Sequence, residues 1–120
     1  MAPRPLRTAP VIHVVAIVTA KPGSREEVLA AFGEIVPTVR AERGCLEYEP
    51  LVDAVGAGEI GTPAGADAFI VVEKWSDLEA LRAHSEAPHM ADYAARVGHL
   101  IAARAVHVLV AAPEPHAPED

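Results

Sequence analysis

The chain has one cysteine, Cys45, in 120 residues. A lone thiol excludes an intramolecular disulfide framework and any cysteine-cluster metal site, and it is what a reducing compartment permits. Runs of lysine or arginine are also missing, and the formal net charge is −7, so a nucleic-acid backbone or an anionic membrane surface finds nothing to hold. No apolar stretch is long. Val11 to Ala20 is broken by His13 and Thr19 and is too short to span a bilayer. Met1 to Pro10 carries positive charge but leads into β-branched sequence rather than a leucine-rich segment with a cleavage site, so the expected location is the cytoplasm.

What is present is enough apolar sequence for one core. Half of the chain is hydrophobic, at 51%, and the length suits a single domain. Residues 1–10 and 111–120 each hold three prolines and few side chains able to pack, so both are expected to be unstructured tails around a folded part at 11–110. Val11 to Ala20 is almost continuously apolar and β-branched, the pattern of a strand covered on both faces. Lys21-Pro22-Gly23 is turn chemistry, and Ser24 to Glu27 reads as a capping box that opens a helix. Val28, Phe32, Ile35, Val36 and Val39 then recur at helical spacing. Pro37 is expected to kink or restart that helix, and Gly44 to cap it.

Cys45 to Val52 reads as a second strand, and Asp53 to Asp67, with five glycines or prolines, as a long loop. A loop of that length is either a lid or partner contact, or an idle hairpin tip. Ala68 to Trp75 is a third strand, and Ser76 to Glu79 a second capping box. The next helix places Leu78, Leu81 and His84 on one face, restarts at Pro88 in an N1-type position, and continues a stripe through Met90, Tyr93, Ala94, Val97, Leu100 and Ile101. Ala105 to Val110 is the last strand. The order β-α-β-β-α-β predicts an α+β, ferredoxin-like fold: a four-stranded antiparallel sheet with both helices on one face. The other face then has no cover within the chain. Its simplest cover is a second copy, which predicts a homodimer.

Three segments carry a family resemblance. Ile35-Val36-Pro37-Thr38-Val39 with Glu42-Arg43-Gly44-Cys45-Leu46-x-Tyr48, then Glu73-x-Trp75, then Leu78-x-x-Leu81-x-x-His84-x-x-x-Pro88-His89-Met90, resemble the antibiotic biosynthesis monooxygenase superfamily, and within it the bacterial quinol monooxygenases. The similarity covers about residues 11–110. It implies a dimeric α/β barrel with a pocket between sheet and helices. It also implies oxidation of a small aromatic quinol or polyketide-like phenol by O2 without flavin, metal or haem.

The resemblance marks out the site candidates. His84 matches the family's helix histidine and would serve as general base for a phenolic proton; otherwise it is a core histidine bonded to a backbone carbonyl. Trp75 stands where the family has a pocket-wall tryptophan, and Tyr48 matches its strand-two tyrosine; the alternatives are a core anchor and dimer packing. Glu73 shares a strand face with Trp75 and, if inward, would orient His84 or a substrate hydroxyl. His13, on the side shared with Val15 and Ile17, either lines the pocket or sits near the sheet edge. Tyr93 is a further candidate for substrate binding, and His89, directly after Pro88 at a helix start, is either a site residue or simply exposed. No His-x-x-x-His or Glu-x-x-His pair lies on one helix face, so no metal is expected, and His84 and His89 are five residues apart. Haem-degrading relatives carry an asparagine on the first strand and a ligating histidine on the last helix, whereas this chain has no asparagine and has Ala94 or a neighbour near that position.

Two other readings share the fold: an isomerase of a small polar or phosphorylated metabolite, which would want a cation in its pocket, and a non-catalytic dimeric binding or stress-response module. Arg40, Arg43, Arg82, Arg96 and Arg104 are expected mostly on solvated helix surfaces, which speaks against the isomerase.

Overall fold

The computed structural model describes residues 9–113; the greater part of both expected tails lies outside the described residues. The elements are β1 (Ile12–Ala20), α1 (Arg25–Arg40), β2 (Cys45–Leu51), β3 (Ala68–Trp75), α2 (Leu78–Ser85), α3 (Pro88–Val97) and β4 (Ile101–Leu109), with 3₁₀ turns at Gly58–Ile60 and Gly98–Leu100. The four strands form one sheet in the order β2-β3-β1-β4, and every neighbouring pair is antiparallel. The ferredoxin-like arrangement expected from the element order is therefore the observed one.

Alternation along β1 sorts its side chains. Ile12, Val14, Ala16, Val18 and Ala20 are buried under the helices, while His13, Val15, Ile17 and Thr19 are less covered. Register extends this sorting across the sheet. Val14 pairs with Glu73 and Val108, and Glu73 pairs with Tyr48, so these four share the helix-covered side. Phe32 of α1 anchors the core. Its ring stacks on Tyr48 at 5.2 Å and meets Phe69 and Tyr93 edge-on, each at 5.8 Å. Burying each such side chain stabilises the fold by roughly 1.5–3 kcal/mol.

Among the described residues nothing covers the face of the sheet away from the helices, which is bare. Ile17 is 39% exposed and Leu109 47%, and β4 is exposed along both faces after Ile101. Among the described residues no helix is long and apolar enough to cross a membrane.

Several local expectations are corrected. Ser24 has helical dihedrals and makes no capping bond. At α2 the cap is Asp77 rather than Ser76, and its Oδ1 accepts the Ala80 N–H at 2.8 Å. Helix α1 runs unbroken through Pro37, which falls in its last turn, and the carbonyl deprived of its donor belongs to exposed Gly33, where water can satisfy it. Strand β4 begins at Ile101, four residues before its expected start, because the helix stops at Val97 and the 3₁₀ turn at Gly98 ends the helical periodicity. The 53–67 loop is pinned at its base. The Asp53 carboxylate accepts the Ala64 and Gly65 N–H groups at 2.7 and 2.9 Å, and these bonds hold its pKa below the usual carboxylate range.

Gly44 is where α1, β2 and α2 converge. Its φ of +83° suits glycine, and a Cβ there would lie 2.6 Å from both Ala80 Cβ and Ser76 Oγ. Its carbonyl accepts the Ser76 N–H at 2.8 Å. This contact sets the turn carrying Glu42 against the start of α2.

Candidate active site

A cavity of about 480 Å³ lies between the sheet and helices α2 and α3. Val14 and Val18 of β1, Leu81 of α2 and Ala94 of α3 give it apolar walls, and its polar groups are Glu73, His84, Ser85, Tyr93 and Arg104. The size and the mostly apolar lining suit a small planar organic molecule.

His84 stands in the last turn of α2, is 5% exposed, and forms part of the cavity wall. Its Nδ1 lies 3.0 Å from Glu42 Oε2, and the same oxygen lies 2.8 Å from His89 Nε2. A carboxylate can only accept, so each imidazole turns an N–H towards it. With Nδ1 engaged in this way, His84 keeps Nε2 as its free lone pair. The ring is held on two further sides, by Trp75 with centroids 4.6 Å apart and by Tyr48 at 5.4 Å.

Glu73 faces inward with Trp75, as the two-residue period requires, and is 8% exposed. Of its two expected roles, orienting His84 falls to a different carboxylate. Trp75 Nε1 donates to Glu73 Oε1 at 2.9 Å, while the carboxylate bonded to His84 is Glu42. Burial pushes the Glu73 carboxyl above its usual range, against the opposing pull of the Trp75 hydrogen bond and of the His84 and Arg104 charges. Burial likewise raises the Tyr48 hydroxyl well above its ordinary value and pushes Tyr93 up to about 12. Both phenols therefore stay neutral near pH 7 and serve as hydrogen-bonding groups.

The remaining candidates divide. Tyr93 lines the cavity, whereas Tyr48 and Trp75 pack behind His84 as buried supports. His13 is not brought to the cavity, because in the alternation of β1 it falls one residue away from Val14 and so on the bare face. Arg104 is the reverse case. It lies on β4 rather than on a solvated helix, pairs with Val18, and reaches the cavity.

Glu42 is the residue that sequence reasoning missed. It sits in an aperiodic turn, 42 positions before His84, and only the segment Glu42-Arg43-Gly44-Cys45 marked its neighbourhood. His84 and His89 lie on different helices, and the break at Ala87-Pro88 turns both towards Glu42, so that one ligand-capable atom from each of the three residues lies within 4.8 Å of the others.

Comparison with known proteins agrees with this architecture. The family model for antibiotic biosynthesis monooxygenase matches residues 11–96. The chain is 38% identical over 88 residues to the Escherichia coli K12 protein named "Probable quinol monooxygenase YgiN", covering 72% of this chain and 84% of that one. Among solved structures, it is similar to Rv0793 from Mycobacterium tuberculosis at a TM-score of 0.70 and 27% identity, covering 88% of this chain and 98% of that one. It shares its fold with PA3566 from Pseudomonas aeruginosa at a TM-score of 0.75 and 23% identity, covering 89% and 99% of the two chains.

Proposed function

Since the chain belongs to the antibiotic biosynthesis monooxygenase family, we propose that it is a cofactor-independent monooxygenase of a small aromatic quinol or phenol, with His84 as the base. The observation that carries this reading is a histidine in the wall of a mostly apolar cavity whose Nδ1 is committed to a carboxylate. That pairing fixes the tautomer, leaves Nε2 as the basic nitrogen, and stabilises the imidazolium formed when it takes a proton.

Removal of a phenolic proton by Nε2 gives an electron-rich phenolate beside Arg104, whose guanidinium balances its charge. The phenolate passes one electron to O2, and the resulting radical and superoxide recombine to form a carbon–oxygen bond at a ring C–H position. Loss of water from that peroxide leaves the new carbonyl of a quinone and returns the proton from His84. One oxygen atom of O2 enters the product and the other leaves as water, with both reducing electrons coming from the substrate. The protein contributes position, a dry cavity and confinement of the radical pair. Glu73, held by Trp75, and the neutral Tyr93 hydroxyl are the groups on hand to orient a substrate hydroxyl.

The bare sheet face supports the further proposal that the working unit is a homodimer with this face covered by a second copy. One observation favours the isomerase reading: Arg104 supplies the cavity cation that an anionic metabolite would need. Oxygen consumption separates the two. Metal-free protein supplied with reduced menadione is expected to take up O2 faster than autoxidation, and His84→Ala to fall to that background. Uptake at the background rate for both proteins would reject the oxygenase reading.

A further inference from the structure

The carboxylate that orients His84 also gathers a second histidine, which a base dyad alone does not need. We infer that Glu42, His84 and His89 form a binding site for a divalent transition-metal cation of the Zn2+ class, and that occupancy of this site switches off His84 as a base.

Three observations converge on it. The donor set is two imidazoles and one carboxylate, the combination that suits zinc, iron, nickel or copper rather than the oxygen-seeking calcium or magnesium. One ligand-capable atom from each of Glu42, His84 and His89 lies within 4.8 Å of the others, and Glu42 Oε2 faces both His84 Nδ1 and His89 Nε2. Ligands at about 2.0–2.2 Å around a tetrahedral ion stand about 3.3–3.6 Å apart. The present separations from Oε2 are 3.0 and 2.8 Å, so small side-chain rotations open the hydrogen-bonded cluster to coordination.

Placement and exposure also fit. Each ligand comes from a fixed point of the backbone: the turn held by Gly44, the last turn of α2, and the first turn of α3 behind Pro88. The side chains are 15%, 7% and 27% exposed for Glu42, His84 and His89, which shields the ion yet leaves an entry path past His89. A tetrahedral ion on three protein ligands keeps a fourth position for water or another ligand.

Binding has a chemical consequence for the neighbouring cavity. A neutral imidazole carries one N–H. When the ion takes Nδ1, that hydrogen must reside on Nε2, and the lone pair assigned to substrate deprotonation is gone. The ion site stands on geometry alone, whereas the inhibitory effect rests on the proposed role of His84.

The test uses untagged, full-length, metal-free protein and Zn2+ alone, with competition against a chromogenic chelator to read stoichiometry and affinity. The wild type is expected to take one Zn2+ per chain. His89→Ala, a substitution at a partly exposed position, should weaken uptake by about tenfold or more, since loss of a residue that merely supports a ligand already costs about 10–100-fold. His107→Ala, on β4 away from the cluster, should bind as the wild type does. No uptake by the wild type, or uptake unchanged in His89→Ala, would overturn the site. Oxygen uptake with reduced menadione is then followed as Zn2+ is added. Inhibition that saturates at one equivalent and is lost in His89→Ala supports the switch. Stoichiometric binding with undiminished turnover would overturn the switch and leave the site standing.

Discussion

Replacing Glu42 by glutamine isolates the contribution of the carboxylate to the base. The amide of the Glu42→Gln variant can still offer an oxygen to His84 Nδ1 and His89 Nε2, so shape is kept while the negative charge is lost. Glu42 lies 3.0 Å from Nδ1 and is 15% exposed, which makes the contact a partly shielded, charge-assisted hydrogen bond. Two full charges about 4 Å apart at an effective dielectric near 20 interact by about 4 kcal/mol, and hydrogen bonds to charged groups contribute about 1.5–3 kcal/mol net. The lower range is the better guide at a site that water reaches. It corresponds to a fall in kcat of about 10- to 150-fold. KM should change little, because Glu42 is not part of the cavity wall. The assay is O2 uptake against reduced menadione concentration, on metal-free protein shown by circular dichroism to be folded. Combining the change with His84→Ala should cost nothing further, as the carboxylate acts only through that histidine. A kcat within about twofold of wild type, a loss confined to KM, or additive losses in the double variant would show that the carboxylate does not act through His84.

Three further outcomes are expected. Gly44→Ala forces a left-handed conformation on a residue with a Cβ and drives that atom to 2.6 Å from Ala80 Cβ and Ser76 Oγ; strain and overpacking together should cost about 2–4 kcal/mol, read as a lower denaturant midpoint. Glu73→Gln tests the buried carboxyl. Its folded pKa lies above the ordinary value of 4.5, so the native state holds the proton longer than the unfolded chain, and its contribution to stability falls as pH rises from about 4.5 through the folded value. The Glu73→Gln variant should therefore match wild type at about pH 4 and exceed it at about pH 7 in urea titrations; equal stability at both would show that burial does not disfavour the charge. Ile17→Asp, on the bare face, should turn a dimer into a monomer in analytical ultracentrifugation, and a wild type already monomeric would reject that interface.

Much of the architecture is legible in the sequence because strong local signals agree with the global fold. β1 and β3 declare themselves by β-branched runs and α1 by a five-residue apolar stripe, while Pro88 opens α3 at N1 as expected. The site is legible only where periodicity carries it. Glu73 and Trp75 share a face because they are two residues apart, and His84 lies on the inner stripe of α2. Parity alone does not say which face of a strand is inner, so the sequence leaves His13 between pocket and edge and the structure puts it on the bare face. Arg104 escapes a sequence reading because Leu100 and Ile101 extend the helical pattern of α3 past its end, which hides the strand parity that aims Arg104 at the cavity. Glu42 lies in a turn, where no period exists. Its meeting with His84 and His89 depends on the Gly44 contact and on the break between α2 and α3, both of which are tertiary.

The fate of oxygen in a single turnover by metal-free protein bears most closely on whether His84 drives a cofactor-free oxygenation. With reduced menadione and 18O2, one labelled atom is expected in the quinone product and the other in water, with one O2 consumed per substrate and both signals lost in His84→Ala. Unlabelled product with hydrogen peroxide as the reduced species, or label incorporation unchanged by His84→Ala, would contradict that chemistry.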